Sequence, residues 1–406
     1  MFEVKPFIQS VVGFQVASVA AGLKENGALD LALVVSDRPC AAAGVFTTNR
    51  VKAAPVLLDA ERLARNPNGI RAVAINTRCA NACTGERGLA NAQTMASHTA
   101  RALHVRDEDV LVLSTGVIGT HLPIDKIAAG IDRAVEGLGH DWDAAARAIM
   151  TTDTRPKLAS THFTTPDGSC SIAGIAKGAG MIAPNMATML AVIVTDAALA
   201  PGQAQHALAC ACEETFNRIV VDGDMSTNDT VLLLANGASG VVIDDAEAER
   251  CFVEALTAVA RQLAQAIVRD GEGVTKFITL KIGGASDAAA ARQIGNTIAT
   301  SPLVKTAFYG GDANWGRIIA AVGRSGVPID PDALRLWIAR GEEDSPELLL
   351  FEHGMPANYS EEAAAAIMAA PSITVHLECG MGEGSATLWT CDLSHDYVSI
   401  NGHYRS

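Results

Sequence analysis

The hydrophobic positions of this chain fall into two rhythms. Short runs in which almost every residue is apolar, at 30–35, 72–75 and 110–113, are bounded by turn residues and predict buried strands. Stretches of helix-forming composition at 92–103 and 144–150 predict helices. Residues 161–175 predict a hairpin turning at Pro166-Asp167-Gly168, which delivers the chain to a glycine-containing loop after Lys177. The run 190–195 predicts another buried strand, and 203–220 and 246–268 predict amphipathic helices, the second with Asp244 and Asp245 as candidate N-caps. Strands at 373–377 and 386–390 flank Gly380-Met381-Gly382-Glu383-Gly384, which joins strand to strand and so reads as a hairpin turn rather than a nucleotide loop. The whole is a mixed α/β (α+β) pattern without an internal repeat or low-complexity linker.

Composition narrows the class. At 406 residues and 49% hydrophobic the chain can bury a large core, ordinarily divided into about two lobes. With 31 basic and 45 acidic residues the formal charge is −14, which disfavours nucleic acid or an anionic membrane as the main partner and points to small molecules. No uninterrupted apolar run approaches the ~20 residues of a membrane span, and the first residues do not lead into a signal-peptide core, so a soluble, cytoplasmic protein is expected. The nine cysteines are scattered and are expected to be free thiols. Cys79 and Cys83 could share a helix face, but no second Cys/His pair with zinc spacing accompanies them, and no metal site is expected. The acidic run Asp222, Asp224, Asn228, Asp229 lacks the glycine and terminal glutamate of a calcium loop. Capping and turn stabilisation is its expected role, with shaping of a site wall as the alternative.

One junction carries candidate chemistry. Lys177-Gly178-Ala179-Gly180-Met181-Ile182-Ala183-Pro184-Asn185-Met186-Ala187-Thr188 runs from a glycine turn into the apolar strand. A threonine here reads either as an ordinary start of a strand or as a self-cleavage site. Breaking the Ala187–Thr188 bond would free an α-amine with a pKa of about 8, a base that an N-terminal threonine carries for its own hydroxyl. Acyl transfer also needs donors aimed at the developing oxyanion. Thr115-Gly116, at the end of an apolar strand, offers a hydroxyl and an unhindered N–H, although taken alone the pair reads as a strand-terminating turn.

The segment from Lys177 to Leu190 resembles the cleavage and active-site signature of the ornithine acetyltransferase (glutamate N-acetyltransferase) family. Further family-like stretches lie at 42–54, 81–85, 114–119, 151–154, 222–229, 314–317 and 396–401, so the resemblance covers nearly the whole chain. It implies a self-cleaving layered α/β sandwich of the ornithine acetyltransferase / DmpA-like fold with an N-terminal threonine nucleophile. The cut between Ala187 and Thr188 would give an α chain of 1–187 and a β chain of 188–406. Thr188 would be the nucleophile, Thr115 and Gly116 the oxyanion hole, and Thr151, Lys177, Thr188, Glu272, Asn401 and Ser406 the substrate-binding residues, with Thr152 an equally placed neighbour of Thr151.

The implied reaction is ping-pong transfer of an acetyl group from N2-acetylornithine to L-glutamate in arginine biosynthesis. It needs no metal or organic cofactor, and the motifs leave acetyl-coenzyme A open as an additional donor. A dimer of cleaved αβ units, a heterotetramer, is the implied assembly. The alternatives are a self-processing amidase or aminopeptidase with the same nucleophile, and a binding protein that has kept the fold without the chemistry. The sequence departs from the family pattern at Arg78-Cys79, where a Gly-Asn-like pair is expected, so the pocket wall or its specificity is expected to differ. It also ends in Ser406 where threonine is common.

Overall fold

The computed structural model describes residues 2–183, 189–342 and 345–403. The first lobe is one eight-stranded sheet: β1 (Phe14–Val19), β2 (Leu31–Phe46), β3 (Ile70–Asn76), β4 (Val110–Ser114), β5 (Lys157–Thr165), β6 (Gly168–Lys177), β7 (Leu190–Thr195) and, after the short β8 (Ala198–Leu199), β9 (Thr230–Ala235). Its order is β4-β3-β2-β9-β7-β6-β5, with β1 also on β2. β2 bends the sheet into two layers. Its first half pairs with β1 and β3, the register shifts between Val35 and Cys40 around exposed Asp37-Arg38-Pro39, and its second half pairs with β9. A minor parallel pair joins β8 to β10 (Val242–Ile243).

Alternation along the strands assigns each face. Leu190, Val192 and Val194 of β7 and Leu232 and Leu234 of β9 meet Val73, Ile75, Leu111 and Leu113 of the other layer in a shared core. The opposite positions, Ala191, Ile193, Val231 and Leu233, pack on α5 (Gln203–Glu214) and α6 (Ala246–Val268). Ala72, Ala74, Val110 and Val112 pack under three earlier helices, α1 (Ala54–Arg65), α2 (Gly85–Leu103) and α3 (Ile124–Glu136), while α4 (Trp142–Ala148) fills the sandwich interior. Strands covered on both faces must be apolar throughout, which is why the β3, β4 and β7 segments are continuous apolar runs. The result is a helix–sheet–sheet–helix sandwich, in agreement with the expected layered α/β class.

The second lobe is a six-stranded sheet of β11 (Phe277–Ala285), β12 (Arg335–Arg340), β13 (Leu348–Glu352), β14 (Met355–Pro356), β15 (Ser372–Glu378) and β16 (Gly384–Cys391), ordered β14-β13-β12-β15-β11-β16. Its apolar face is covered by α7 (Ala288–Ala299), α8 (Pro302–Gly310), α9 (Trp315–Gly323) and α10 (Glu361–Met368). The exposed α11 (His395–His403) follows.

Three expectations need correction. The glycine segment 380–384 is not a hairpin turn, because β11 lies between β15 and β16. The segment crosses the end of β11, with Cys379 N–H donating to Gly283 O and Met381 N–H to Gly284 O, and a Cβ on Gly384 would stand 2.2 Å from the Asp287 carbonyl carbon. The helix expected over 203–220 ends at Glu214, after which Phe216 turns into the core and Val220 N–H donates to Trp389 O. Tertiary pairing with β16 here overrides local periodicity. Cys79 and Cys83 sit in a loop rather than on a helix. The α6 boundaries are as expected and Asp245, not Asp244, is the cap, accepting from Ala248 N–H at 2.7 Å. By length and composition α6 could cross a membrane, yet ten of its residues are buried against the sandwich.

Candidate active site

The ends of β4 and β6 open onto one cavity of about 90 Å³. Thr115 and Gly116, directly after β4, line it. Gly116 has φ +129°, and a Cβ there would lie 2.3 Å from the Arg78 carbonyl carbon, so conformation and contact both require glycine. The close approach arises because 78–82 zips onto the loop that follows β4: Val117 N–H donates to Arg78 O, Ala80 N–H to Val117 O and Gly119 N–H to Ala82 O. Asn228, buried in the wall, clamps the two segments by donating both Nδ2 protons, to Ala80 O at 2.7 Å and Ser114 O at 2.8 Å.

Lys177, the last residue of β6, reaches the cavity from below and is 2% exposed. Burial pulls its ammonium below the ordinary lysine range; Asp153, Asp229 and Glu272 act against that, and Lys157 adds to it. Thr151 and Thr152 both line the cavity, so the structure brings in both members of the pair. At the rim, Glu272 accepts from Asn401 Nδ2 of α11 at 2.7 Å and its own N–H donates to Ala179 O. Gly180 faces this carboxylate so closely that a Cβ would be 2.4 Å from Oε2. The site therefore brings together a buried lysine, a carboxylate held by Asn401, and a hydroxyl with a glycine backbone.

The strand that follows the proposed cut is firmly held. Leu190, two residues after Thr188, lies opposite Lys177 in the β6–β7 ladder. Met189 N–H donates to Asp229 Oδ1 at 2.9 Å, and its carbonyl accepts from Thr230 N–H. Burial pushes the Asp229 carboxyl well above its ordinary range, against the opposing pull of the Met189 N–H and Lys177. Asp222 performs the turn stabilisation expected of it, accepting from Met181 N–H and Ile182 N–H. For Asn228, with Ser226 and Thr227, the alternative holds: they form the pocket wall.

The model of the ArgJ family matches residues 15–406. The chain belongs to the ArgJ family. The arginine biosynthesis bifunctional protein ArgJ of Thermotoga neapolitana is 46% identical over 396 residues, 97% of this chain and 99% of that protein. Its counterpart in Geobacter sulfurreducens is 47% identical over 401 residues, 98% of this chain and all of that protein. A mitochondrial counterpart from Heterostelium pallidum is 46% identical over 409 residues, 97% of this chain and 94% of that protein. Among solved structures, an ornithine acetyltransferase from Mycobacterium tuberculosis complexed with ornithine is 44% identical and covers 45% of this chain and 98% of the solved one, with a TM-score of 0.42. As an ArgJ-family member the chain is an acetyltransferase of arginine biosynthesis.

Of the residues expected to form the ArgJ site, Thr115, Gly116, Thr151, Lys177, Glu272 and Asn401 converge on the one cavity. Ala187, Thr188 and Ser406 lie outside the described residues. Arg78 does not line the cavity; its side chain is exposed, and the departure from the family pattern falls on the backbone, at φ +69°. Sequence reasoning missed Ala80, Ile118, Gly180, Met181, Ser226 and Thr227 as lining positions. Each lies in or beside a family-like stretch, the signal that could have found them.

Proposed function

We propose that this chain cuts itself between Ala187 and Thr188 and then carries an acetyl group on Thr188 from N2-acetylornithine to L-glutamate. The observation that carries the reading is the convergence of Thr115, Gly116, Lys177, Glu272 and Asn401 on one cavity at the head of the strand that begins just after Thr188. In self-cleavage the Thr188 hydroxyl attacks the Ala187 carbonyl, the acyl group moves from nitrogen to oxygen, and water hydrolyses the ester. Ala187 becomes a carboxylate and Thr188 a free amine. That amine takes the hydroxyl proton as Thr188 attacks the acetyl carbonyl, and the Thr115 hydroxyl with the Gly116 N–H faces the oxyanion. Collapse of the intermediate expels ornithine, whose nitrogen takes the proton. Glutamate then attacks the acetyl-threonine ester, releasing N-acetylglutamate and restoring the hydroxyl.

Lys177 is the carboxylate partner and Glu272, steadied by Asn401, the ammonium partner for both amino acids. Thr151 or Thr152 and Ser406 complete the substrate contacts, and no cofactor takes part. Acetyl-coenzyme A serves as a second donor, consistent with the bifunctional naming of the relatives. To this reading we add, as part of the proposal, a cytoplasmic dimer of αβ units.

Intact mass spectrometry of the wild type beside Thr188→Ala tests the reading. Fragments 1–187 and 188–406 are expected from the first and one full-length chain from the second, with acetyl transfer to glutamate only in the first. An uncut, active wild type would overturn it, and rapid acetylornithine hydrolysis without transfer to glutamate would assign the site to a hydrolase.

A further inference from the structure

Behind the cavity lies a buried charge cluster that the proposed chemistry does not use. Lys157 Nζ donates to Asp153 Oδ1 and Asp270 Oδ2, both at 2.6 Å, and the three side chains are 1%, 0% and 2% exposed. Asp153 also accepts from Gly178 N–H at 2.6 Å and Thr151 N–H at 2.9 Å. Asp270 accepts from the Thr154 N–H at 3.0 Å and from the Thr154 hydroxyl. One cluster thus ties together the Thr151 loop, the Lys177–Gly178 strand end and the loop carrying Glu272, three of the segments that line the cavity.

We propose that Asp153 is a positioning residue for recognition of the substrate carboxylate, holding the Thr151 and Gly178 backbone so that Lys177, adjacent to Gly178, is presented to the cavity. The proposal rests on Lys177 being the carboxylate partner. The placement of Asp153 gives it this role. Lys157 bridges Asp153 and Asp270, Asp270 also pairs with Arg155 at 3.5 Å, and Asp153 alone of the two carboxylates holds the strand end that carries Lys177. Among the charged groups that act on Lys177 (Asp153, Lys157, Asp229, Glu272 and Lys24), Asp153 does most to offset the effect of burial. In return, although burial pushes the Asp153 carboxyl up, Lys177, Lys157 and the Gly178 N–H outweigh it and hold it below the ordinary range. Lys157 and Asp270 then serve to hold Asp153 where both functions are met.

The test compares two donors, N2-acetylornithine and N-acetylputrescine, which is the same molecule without its carboxylate. Their ratio of kcat/KM isolates carboxylate recognition. In Asp153→Asn that ratio is expected to fall by about tenfold or more, the scale of a lost charge-assisted contact, mainly through KM for acetylornithine. Asp153→Asn/Lys157→Gln, which removes one charge of each sign from the cluster, is expected to lose the ratio as well. A parallel loss on both donors, or no loss, would make Asp153 merely structural and overturn the proposal.

Lys177→Met separates the two levels of the argument. If it abolishes the ratio while Asp153→Asn preserves it, Asp153 alone is wrong. If it leaves the ratio intact, the assignment of Lys177 falls and takes the proposal with it.

Discussion

Arg78 occupies φ +69°, a left-handed conformation that costs a side-chain-bearing residue about 1 kcal/mol relative to glycine. Its neighbours Asn81 and Cys83 are also left-handed, at +51° and +56°, so the segment zipped onto the Thr115–Gly119 loop stores strain at three points. The exposed Arg78 side chain does not line the cavity. Arg78→Gly is therefore expected to stabilise the fold by about 1 kcal/mol, read from the urea midpoint, with acetyl transfer retained. Gly180 presents the opposite case. A Cβ there would meet the end of the Glu272 side chain, which can swing away, so Gly180→Ala is expected to leave the melting temperature within a few degrees while breaking the Glu272–Asn401 contact. Acetylornithine kcat/KM should drop by about tenfold, the value of a charge-assisted hydrogen bond, and an unchanged value would remove Glu272 from substrate binding.

At the scale of elements, α1 is fastened to β4 by an unusual bond: Asp59, fully buried, accepts from Val112 N–H at 2.9 Å. Burial raises its carboxyl well above the ordinary 3.8, and the Val112 N–H and Arg62 only partly oppose this. A folded-state pKa raised above the unfolded one favours folding while the group is protonated, and that contribution is lost as pH rises through the folded value. Asp59→Asn keeps an acceptor without a charge. The variant should therefore gain stability relative to the wild type as pH rises from about 4 to 8, measured by denaturant melts across that range; a difference that shrinks with pH would refute the assignment.

The same elements show what was legible in the sequence. β3, β4, β7 and α6 could be read because their apolar spacing is local and both faces, or one stripe, are covered. The β11 insertion between β15 and β16 could not, since nothing in residues 373–390 records a strand arriving from a hundred residues earlier. Thr115, Lys177 and Glu272 were legible through their motifs. The Asp153–Lys157–Asp270 cluster was not, because its partners are 113 residues apart and are joined only by folding.

Across the whole molecule, the proposed cut at 187/188 does not fall between lobes. β7 and β9 belong to 188–406, yet they lie in the sheet between β2 and β6 of 1–187. Six residue pairs join β2 to β9 and six more join β6 to β7. Both faces of these strands are sealed, by the second layer on one side and by α5 and α6 on the other. Parting the two fragments would expose the central core and leave ladder N–H and C=O groups unpaired in both halves, so separation amounts to unfolding. The cleaved fragments are thus expected to co-elute from size exclusion in native buffer on dilution to nanomolar concentration, and to part only in concentrated guanidinium. Isotope-labelled fragments should likewise fail to exchange between molecules on the timescale of hours, because exchange would require global opening. Free exchange in native buffer would mean that the two chains meet at a surface, which the interleaved strand order contradicts.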